Sequence, residues 1–413
     1  MNNIEADVVV VGGGPAGLAA AVSAKENGAD QVLILDRNSW LGGILPQCIH
    51  DGFGVEETGK SMTGPEYADK YIELAEQKNI IIMNETMVLK LNKNKEITAV
   101  NKKGLYKIKS KAIILAMGCR EKTRWNAMIP GNRPSGIFTA GVAQSLINLY
   151  NIMPGKNVVV VGSGDVGLIM ARRLKFEGAH VLGVVEVLPY SSGLPRNIVQ
   201  CLDDYNIPLF LNHTITCIEG KERVEQITIC QLDKNLNPIV NTQKKIKCDT
   251  LLLSLGLIPE NELSKNADIQ IDELTGGPIV DQNFQTSKGG IFACGNCLQV
   301  YDNVDLLSKD AKRVGKYSVK KTIQSKKFII VKPGKGIRNI VPQRIGKTEN
   351  VHFTCRVEKP YETPTLHVIS GNKQILKKKL KWANPANMIE FNLDISEDIV
   401  RFNDSIEVLL DVK

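Results

Sequence analysis

Apolar runs that close on glycine recur along the chain: Val8 to Val11 before Gly12, Ile113 to Met117 before Gly118, Val158 to Val161 before Gly162, Leu251 to Leu255 before Gly256, and Ile291 to Cys294 before Gly295. A strand that is apolar without alternation is buried on both faces, as in a parallel sheet. Helical spacing follows two of these runs, over Pro15 to Asn27 and Asp165 to Glu177, and Val32 to Leu35 returns as a further strand. Between them lie a predicted helix from Gly64 to Lys78 and β-rich sequence with a turn at Asn92 to Lys95; another helix is expected from about Val304 to Ser325. After about Lys327 the pattern changes. Val331 to Gly336 reads as a linker or turn, and Val351 to Val357, Thr365 to Ser370, Met388 to Leu393 and Ser405 to Val412 are short strand candidates separated by turns. Such spacing predicts a small β-sandwich.

Five landmarks occur twice, each pair 150 positions apart: Gly12 and Gly162, Gly14 and Gly164, Gly17 and Gly167, Gly28 and Gly178, Asp36 and Glu186. In each copy a strand precedes a G-x-G-x-x-G and a helix follows it. The first glycine permits a tight turn, the second admits a pyrophosphate close to the backbone, and the third lets helix and strand pack. The helix N-terminus then offers free N–H groups and a positive dipole end to phosphate. Gly28 and Gly178 end the helices as left-handed caps. Asp36 and Glu186, at the tips of the next strands, are placed to bond a ribose hydroxyl. One such pattern could be packing alone; two with the same spacing predict two dinucleotide sites.

The bulk composition adds limits. With 413 residues, 43% hydrophobic and 23% charged, the sequence has the make-up of a globular protein of two or three domains. Its apolar runs fall far short of a membrane span, and Met1 to Ala6 leads directly into the first strand without a signal-like stretch. A cytoplasmic location is the expectation. The net charge of +8 is spread widely. Lys312, Arg313, Lys316, Lys320 and Lys321 have helical spacing and read as a solvated face, and Lys377, Lys378, Lys379 and Lys381 form a second cluster. No interleaved aromatics suggest nucleic acid. Nine scattered cysteines fit reduced thiols better than a disulfide framework.

The order of these motifs resembles the two-dinucleotide flavoproteins that include thioredoxin reductase and glutathione reductase, over roughly residues 5 to 325. Gly118 to Glu121 and Ile129 to Gly141 are most similar to the small thioredoxin-reductase-like branch, with FAD/NAD subunits related to the sarcosine oxidase alpha subunit. The resemblance implies an α/β fold of two Rossmann-like, three-layer ββα domains, the nicotinamide domain inserted in the FAD domain. The expected divisions are 1–120 and 256–328 for FAD, 121–255 for NAD(P), and 329–413 for the added β-rich domain. Carried over by position, Gly12, Gly14, Pro15, Ala16 and Gly17 hold the FAD pyrophosphate, and Asp36, with Arg37 beside it, meets the adenosine ribose. Gly43, Ile44 and Gln47 lie along the flavin and Val88 presents backbone to the adenine. Ala116, Gly118, Gly295 and Asn296 complete the FAD segments, and the helix starting at Val304 turns its N-terminus to the flavin pyrimidine edge. Gly162, Gly164, Asp165, Val166, Gly167, Glu186 and Gly256 form the NAD(H) site. Two positions depart from the family: Asp36 stands for the usual glutamate and Asn296 for the usual aspartate, which removes a negative charge near the pyrophosphate.

The resemblance breaks at the cysteine relay. Thr139 to Tyr150 contains no cysteine, and after Gly42-Gly43 the two relay positions are Leu45 and His50, with Cys48 alone between them. Reduction of a disulfide by either standard relay is not expected. Cys294 and Cys297 form a C-x-x-C inside an FAD segment, expected to be buried packing rather than a redox pair or metal site; no metal is expected. Cys48 and His50 are the candidate catalytic pair, since a thiol two residues from an imidazole could shuttle a proton or form a flavin adduct if its pKa were lowered. The plainer reading is that both line the flavin pocket. His180, His213, His352 and His367 have no ligand-like spacing.

The expected activity is FAD-dependent oxidation or reduction of NAD(H), with electrons exchanged with an acceptor or partner subunit. One alternative is the FAD/NAD subunit of a multi-component amine or glycerol-3-phosphate dehydrogenase; an alternative of another class is a flavin-binding structural subunit without turnover. Candidate partners are an electron-transfer or dehydrogenase protein and a second copy of the chain. The C-terminal domain reads equally as a docking platform or a stabilising appendage.

Overall fold

The computed structural model describes residues 2–320, 327–397, 399 and 404–411. It divides into two compact units, Met1–Cys119 with Pro259–Lys413, and Arg120–Ile258.

The first unit is built on a parallel sheet in the order Ile81–Met83, Val32–Leu35, Asn2–Val11, Gly104–Leu115, Ile291–Ala293. The strand Gly104–Leu115 is long enough to serve two layers. Its first half pairs antiparallel with Glu96–Asn101, which continues to Met87–Leu91, and its apolar second half pairs with Ile291–Ala293. Alternating polar residues from Leu105 to Lys109 suit the half-exposed meander; Ala112 to Leu115, all buried, suit the parallel core. The helices Pro15–Glu26 and Val304–Ser318 pack so closely that a Cβ at Gly315 would lie 2.2 Å from the Ala20 carbonyl oxygen. The first strand runs from Asn2, earlier than its apolar run indicates, because Asn2 to Ala6 pair with Tyr106 to Ser110. The last helix ends at Ser318; Lys321 and the expected continuation to Ser325 lie outside the described residues.

The C-terminal residues of this unit form two sheets around a core of their own. One has the order Arg344–Ile345, Ile329–Pro333, Ser405–Asp411, Thr365–Ser370, Lys373–Lys379; the other pairs Ile337–Val341, Asn350–Val357 and Ile389–Asp394. The sandwich expected from the strand spacing is present, with more strands than the apolar runs reveal. Val412 lies outside the described residues. The expected linker at Val331 to Gly336 is corrected: Val331 to Pro333 belong to a strand paired with Ile406 to Val408, and only the Gly334–Gly336 portion turns. Polar bonds, two of them buried, join the sandwich to the rest of this unit. Gln299 donates to Thr354 Oγ1 at 2.8 Å, the Val280 N–H donates to Gln343 at 3.0 Å, and Arg356 donates to the Val300 carbonyl at 2.9 Å.

The second unit repeats the parallel layer in the order Leu209–Phe210, His180–Val185, Asn157–Val161, Thr250–Leu253, Ile137–Thr139. Its antiparallel meander is His213–Glu219, Gln226–Gln231, Lys244–Lys247. Helix Asp165–Phe176 follows the glycine turn as Pro15–Glu26 does in the first unit, and both helices are succeeded by glycines of positive φ, Gly28 at +102° and Gly178 at +85°.

Candidate functional site

The two glycine turns agree in detail. Gly12 has φ +108° and a Cβ there would fall 2.3 Å from the Ala116 carbonyl oxygen; Gly162 has φ +93° and the same atom would fall 2.1 Å from the Ser254 carbonyl oxygen. Each turn is thus pressed against the end of the neighbouring strand, where no side chain fits. The second glycines differ in kind: the nearest atom to a Cβ at Gly14 is Gly43 Cα at 3.8 Å, and at Gly164 Ser254 Oγ at 3.6 Å. Both sit at helix N-caps that no side chain bonds. A bare backbone, an uncapped helix end and open space above it make an anion cradle.

The acids at the strand tips are turned toward these cradles. Asp36, buried, accepts from the Gly13 N–H at 2.6 Å and the Asn38 N–H at 2.8 Å. Glu186, also buried, accepts from the Ser163 N–H at 2.9 Å, the Ser163 hydroxyl at 2.5 Å and the Leu188 N–H at 2.9 Å. The spacing placed both acids but did not disclose that each clamps its own glycine turn. Carboxylate oxygens have further lone pairs for a hydroxyl donor.

The remaining FAD candidates lie in the first unit. Gly43 backs directly onto Gly14, 3.0 Å from its Cα at the Cβ position, and carries Ile44 out into solvent and Gln47 to a half-buried place. Gly295 brings the strand end beside Ala16, with 2.6 Å left for a Cβ. Ala116 donates its N–H to the Val11 carbonyl, and Gly118 has φ +73° with open space around it. Asn296 accepts from the Tyr301 N–H at 3.0 Å, so the asparagine ties down its own loop. Val88 is buried in the edge strand, whose approach is fixed by the Thr86 N–H donating to the Asp36 carbonyl. Pro15 and Val304 open their helices, and Arg37 is exposed. In the second unit, Val166 is exposed and Gly256 has φ +91° with nothing near it. Asp165 is occupied differently: it accepts from the Leu194 N–H at 2.8 Å and Asn197 Nδ2 at 2.7 Å, holding the start of Pro195–Cys201.

The candidate catalytic pair does not acquire an activated thiol. Burial pushes Cys48 up to about 12, and its thiol faces the Ile44 carbonyl at 3.4 Å. His50 Nδ1 lies 3.0 Å from the Asp51 carbonyl oxygen and the ring packs on Phe53. Cys294 and Cys297 are fully buried, with thiols toward the Ala16 and Leu115 carbonyls, and burial holds both far above a reactive thiol. Among the described residues no disulfide forms, and no metal-binding cluster of His, Cys, Asp or Glu occurs.

One cluster gives no sequence signal. Glu57, on the short helix Val55–Thr58, accepts from Tyr71 at 2.7 Å, Tyr67 at 3.0 Å and Lys70 at 3.1 Å, and is bonded by Lys312. Its N–H donates to Asp305 at 3.3 Å, in the first turn of Val304–Ser318. Burial alone would raise Glu57, but the Lys312, Tyr71 and Lys70 donors bring it down to about 2. The basic face expected on this helix is corrected accordingly: Lys312 serves Glu57, and Arg313 pairs at 2.8 Å with Asp310, which is buried. His352 is likewise structural, 3.4 Å from Glu390 and 3.8 Å from Asp310.

Two glycine turns, two acid clamps and two parallel sheets in one chain define a two-dinucleotide protein. The chain belongs to the pyridine nucleotide-disulphide oxidoreductase family, whose profile matches residues 6–322. FAD and a nicotinamide dinucleotide are the cofactors of that family. Among curated relatives, it is 28% identical over 312 residues to the NADH oxidase of Methanocaldococcus jannaschii, covering 71% of this chain and 63% of that one. It is 27% identical to the NADH dehydrogenase of Bacillus subtilis, covering 73% and 55%, and 25% identical to an opine oxidase component of Agrobacterium tumefaciens, covering 70% and 61%. The chain thus spans about three-fifths of the length of these relatives. In fold it is similar to the thioredoxin reductase of T. acidophilum, with a TM-score of 0.61 at 24% identity over 76% of this chain and 98% of that one. The NAD-dependent persulfide reductase of A. fulgidus superposes over 94% of this chain and 71% of that one, with a TM-score of 0.59 at 17% identity.

Proposed function

We propose that the protein is an FAD-dependent NADH oxidoreductase whose electrons pass to an acceptor other than a disulfide on the standard relays. The observation that carries this reading is the repeated cradle: Gly14 and Gly164 leave open backbone at bare helix ends, each beside a glycine turn clamped by an acid. Those features fit two pyrophosphates, so the residues present suit the family's cofactors. Bound FAD would supply hydride acceptance and electron transfer. The chain's part is to hold and orient. Gly12, Gly14, Pro15, Ala16 and Gly17 receive the FAD pyrophosphate; Asp36 accepts from its ribose; Gly43, Ile44 and Gln47 flank the ring system. Gly162, Gly164, Val166 and Gly167 receive the nicotinamide dinucleotide, and Glu186 selects the form without a 2′-phosphate. Asp165, which accepts from Leu194 and Asn197, opens the helix of the second cradle beside them. The relay positions after Gly43 hold Leu45 and His50, so neither standard cysteine pair is present in the sequence. Residues 1–120 with 256–328 make the FAD domain and 121–255 the nicotinamide domain.

The second reading, an FAD/NAD subunit of a multi-component dehydrogenase, is favoured by one finding: relatives include proteins named as subunits of an opine oxidase and of a hydrogen cyanide synthase. The two differ in the direction of electron flow and in the need for a partner. A cytoplasmic placement is part of either reading; no helix among the described residues is long and apolar enough to cross a membrane. Anaerobic mixing of the FAD-loaded protein with NADH tests the proposal. Rapid loss of flavin absorbance is expected. A flavin that stays oxidised overturns NADH oxidation and leaves the multi-component dehydrogenase subunit and the non-catalytic structural subunit.

A further inference from the structure

The loop from Lys122 to Arg133 holds two large apolar side chains in water. Trp125 is 76% exposed and Met128 81%. The loop is nonetheless rigidly built. Arg124 donates from three nitrogens to the carbonyls of Ile129, Gly131 and Asn132 within the same loop. The Asn126 side chain accepts from both the N–H and the hydroxyl of Thr123. At its base Ile129 is buried in the core, Asn132 bonds to Ile218 and Gly220, and a Cβ at Gly131 would strike Ile218 at 2.2 Å. Met128 is held at φ +48°, a conformation that side chains other than glycine rarely adopt. Strain and fixed exposure at one tip are not what packing selects; they suit a surface built in advance for a partner.

The charges say what kind. From Lys122 to Arg133 there are three cations, Lys122, Arg124 and Arg133, and no acid. Burial and the adjacent Arg133 cation both push Arg124 down from its ordinary value, so the two cations crowd one another. A second copy of this loop would bring cation against cation. We propose that Trp125 and Met128 are the anchors of a docking surface for a partner protein presenting an apolar pocket rimmed by carboxylates. Trp and Arg are the residue types that most often carry interface energy, and a rigid tip enters a shaped pocket at low entropic cost. Being confined to the loop, the surface is independent of which acceptor the flavin serves.

The test uses the full-length, FAD-loaded protein and a designed helical-hairpin peptide whose Leu-lined groove is rimmed by glutamates, measured by titration calorimetry. Saturable binding is expected, at least tenfold weaker for Trp125→Ala and for Arg133→Glu, with the thermal midpoints of both variants near wild type. Met128→Gly should bind less and melt higher, since it removes an anchor and relieves the positive φ. Equal affinity of all variants, no binding of the peptide, or equal binding of poly-glutamate would overturn the proposal. So would Trp125-dependent binding to phosphatidylglycerol vesicles without peptide binding, which assigns the tip to a lipid surface. Trp125-dependent self-association in sedimentation would assign it to a second copy instead.

Discussion

The Gly13 N–H donates to the Asp36 carboxylate at 2.6 Å, closing the glycine turn onto the tip of the next strand. Ser163 and Glu186 make the same bond at 2.9 Å in the second unit. The acid therefore has a task before any nucleotide binds. Asp36→Ala removes an acceptor from two N–H groups, the buried Gly13 N–H and the part-buried Asn38 N–H, each such charged bond contributing about 1.5–3 kcal/mol. Loss of cofactor-free stability in urea and weaker FAD binding are expected together. A variant as stable as wild type without FAD would show that the clamp is unimportant.

Gly14 separates cofactor binding from folding. A Cβ there meets no atom nearer than 3.8 Å, so Gly14→Ala should leave cofactor-free stability within about 0.5 kcal/mol. The same methyl group occupies the approach of the pyrophosphate, and FAD affinity should fall at least a hundredfold. Gly12→Ala is the contrast: with φ +108° and the Ala116 oxygen 2.3 Å away, it should damage the fold itself. Equal FAD affinity of Gly14→Ala and wild type refutes the cradle.

On the proposed function, nucleotide preference is expected to rest on Glu186. Its carboxylate is buried and fixed by Ser163 and Leu188, so it cannot swing from an incoming 2′-phosphate. Arg173 is committed to Glu177 at 2.6 Å and Asn148 at 3.0 Å. NADH should reduce the flavin ten- to a hundredfold faster than NADPH, a difference of roughly 1.4–2.8 kcal/mol. Stopped-flow reduction decides this, and equal rates would remove the assignment.

What the sequence disclosed and what it hid follow from the range of the interactions. The turns, helices and strand tips of both cradles are set within about 25 residues, so glycine and acid spacing alone place Gly12 to Asp36 and Gly162 to Glu186. Glu57 meets Lys312 across 255 positions and Asp305 across 248, and no local pattern marks such a pair. Lys312 therefore read as solvated. The strand at Val331 was hidden for a related reason: its Pro-Gly-Lys-Gly ending is turn sequence, while its pairing partner lies at Ile406.

Cys48 tests the absence of relay chemistry. Its thiol is pushed up to about 12 by burial, leaving negligible thiolate at neutral pH. Cys48→Ser should keep NADH-driven flavin reduction within about tenfold, a barrier change of ~1.4 kcal/mol. A loss of several orders of magnitude in single-turnover reduction would restore a chemical role to this residue.

The Glu57 cluster sets an acid limit on stability. Its carboxyl lies at about 2 in the folded protein, against ~4.3 for an unperturbed glutamate. A lowered folded pKa stabilises above the unfolded value, and that contribution is lost as pH falls through the folded one. Glu57→Gln should therefore be destabilised relative to wild type by a constant amount from neutral pH down to about 5, with the gap narrowing from ~4.3 toward about 2. Lys312→Met should open a similar gap, since it strips the same carboxylate of its cation, and the double variant should cost less than the two singles combined. Urea unfolding across this pH range measures all three. A gap that stays constant to the lowest pH would show that Glu57 contributes through packing and neutral hydrogen bonds, not through its charge.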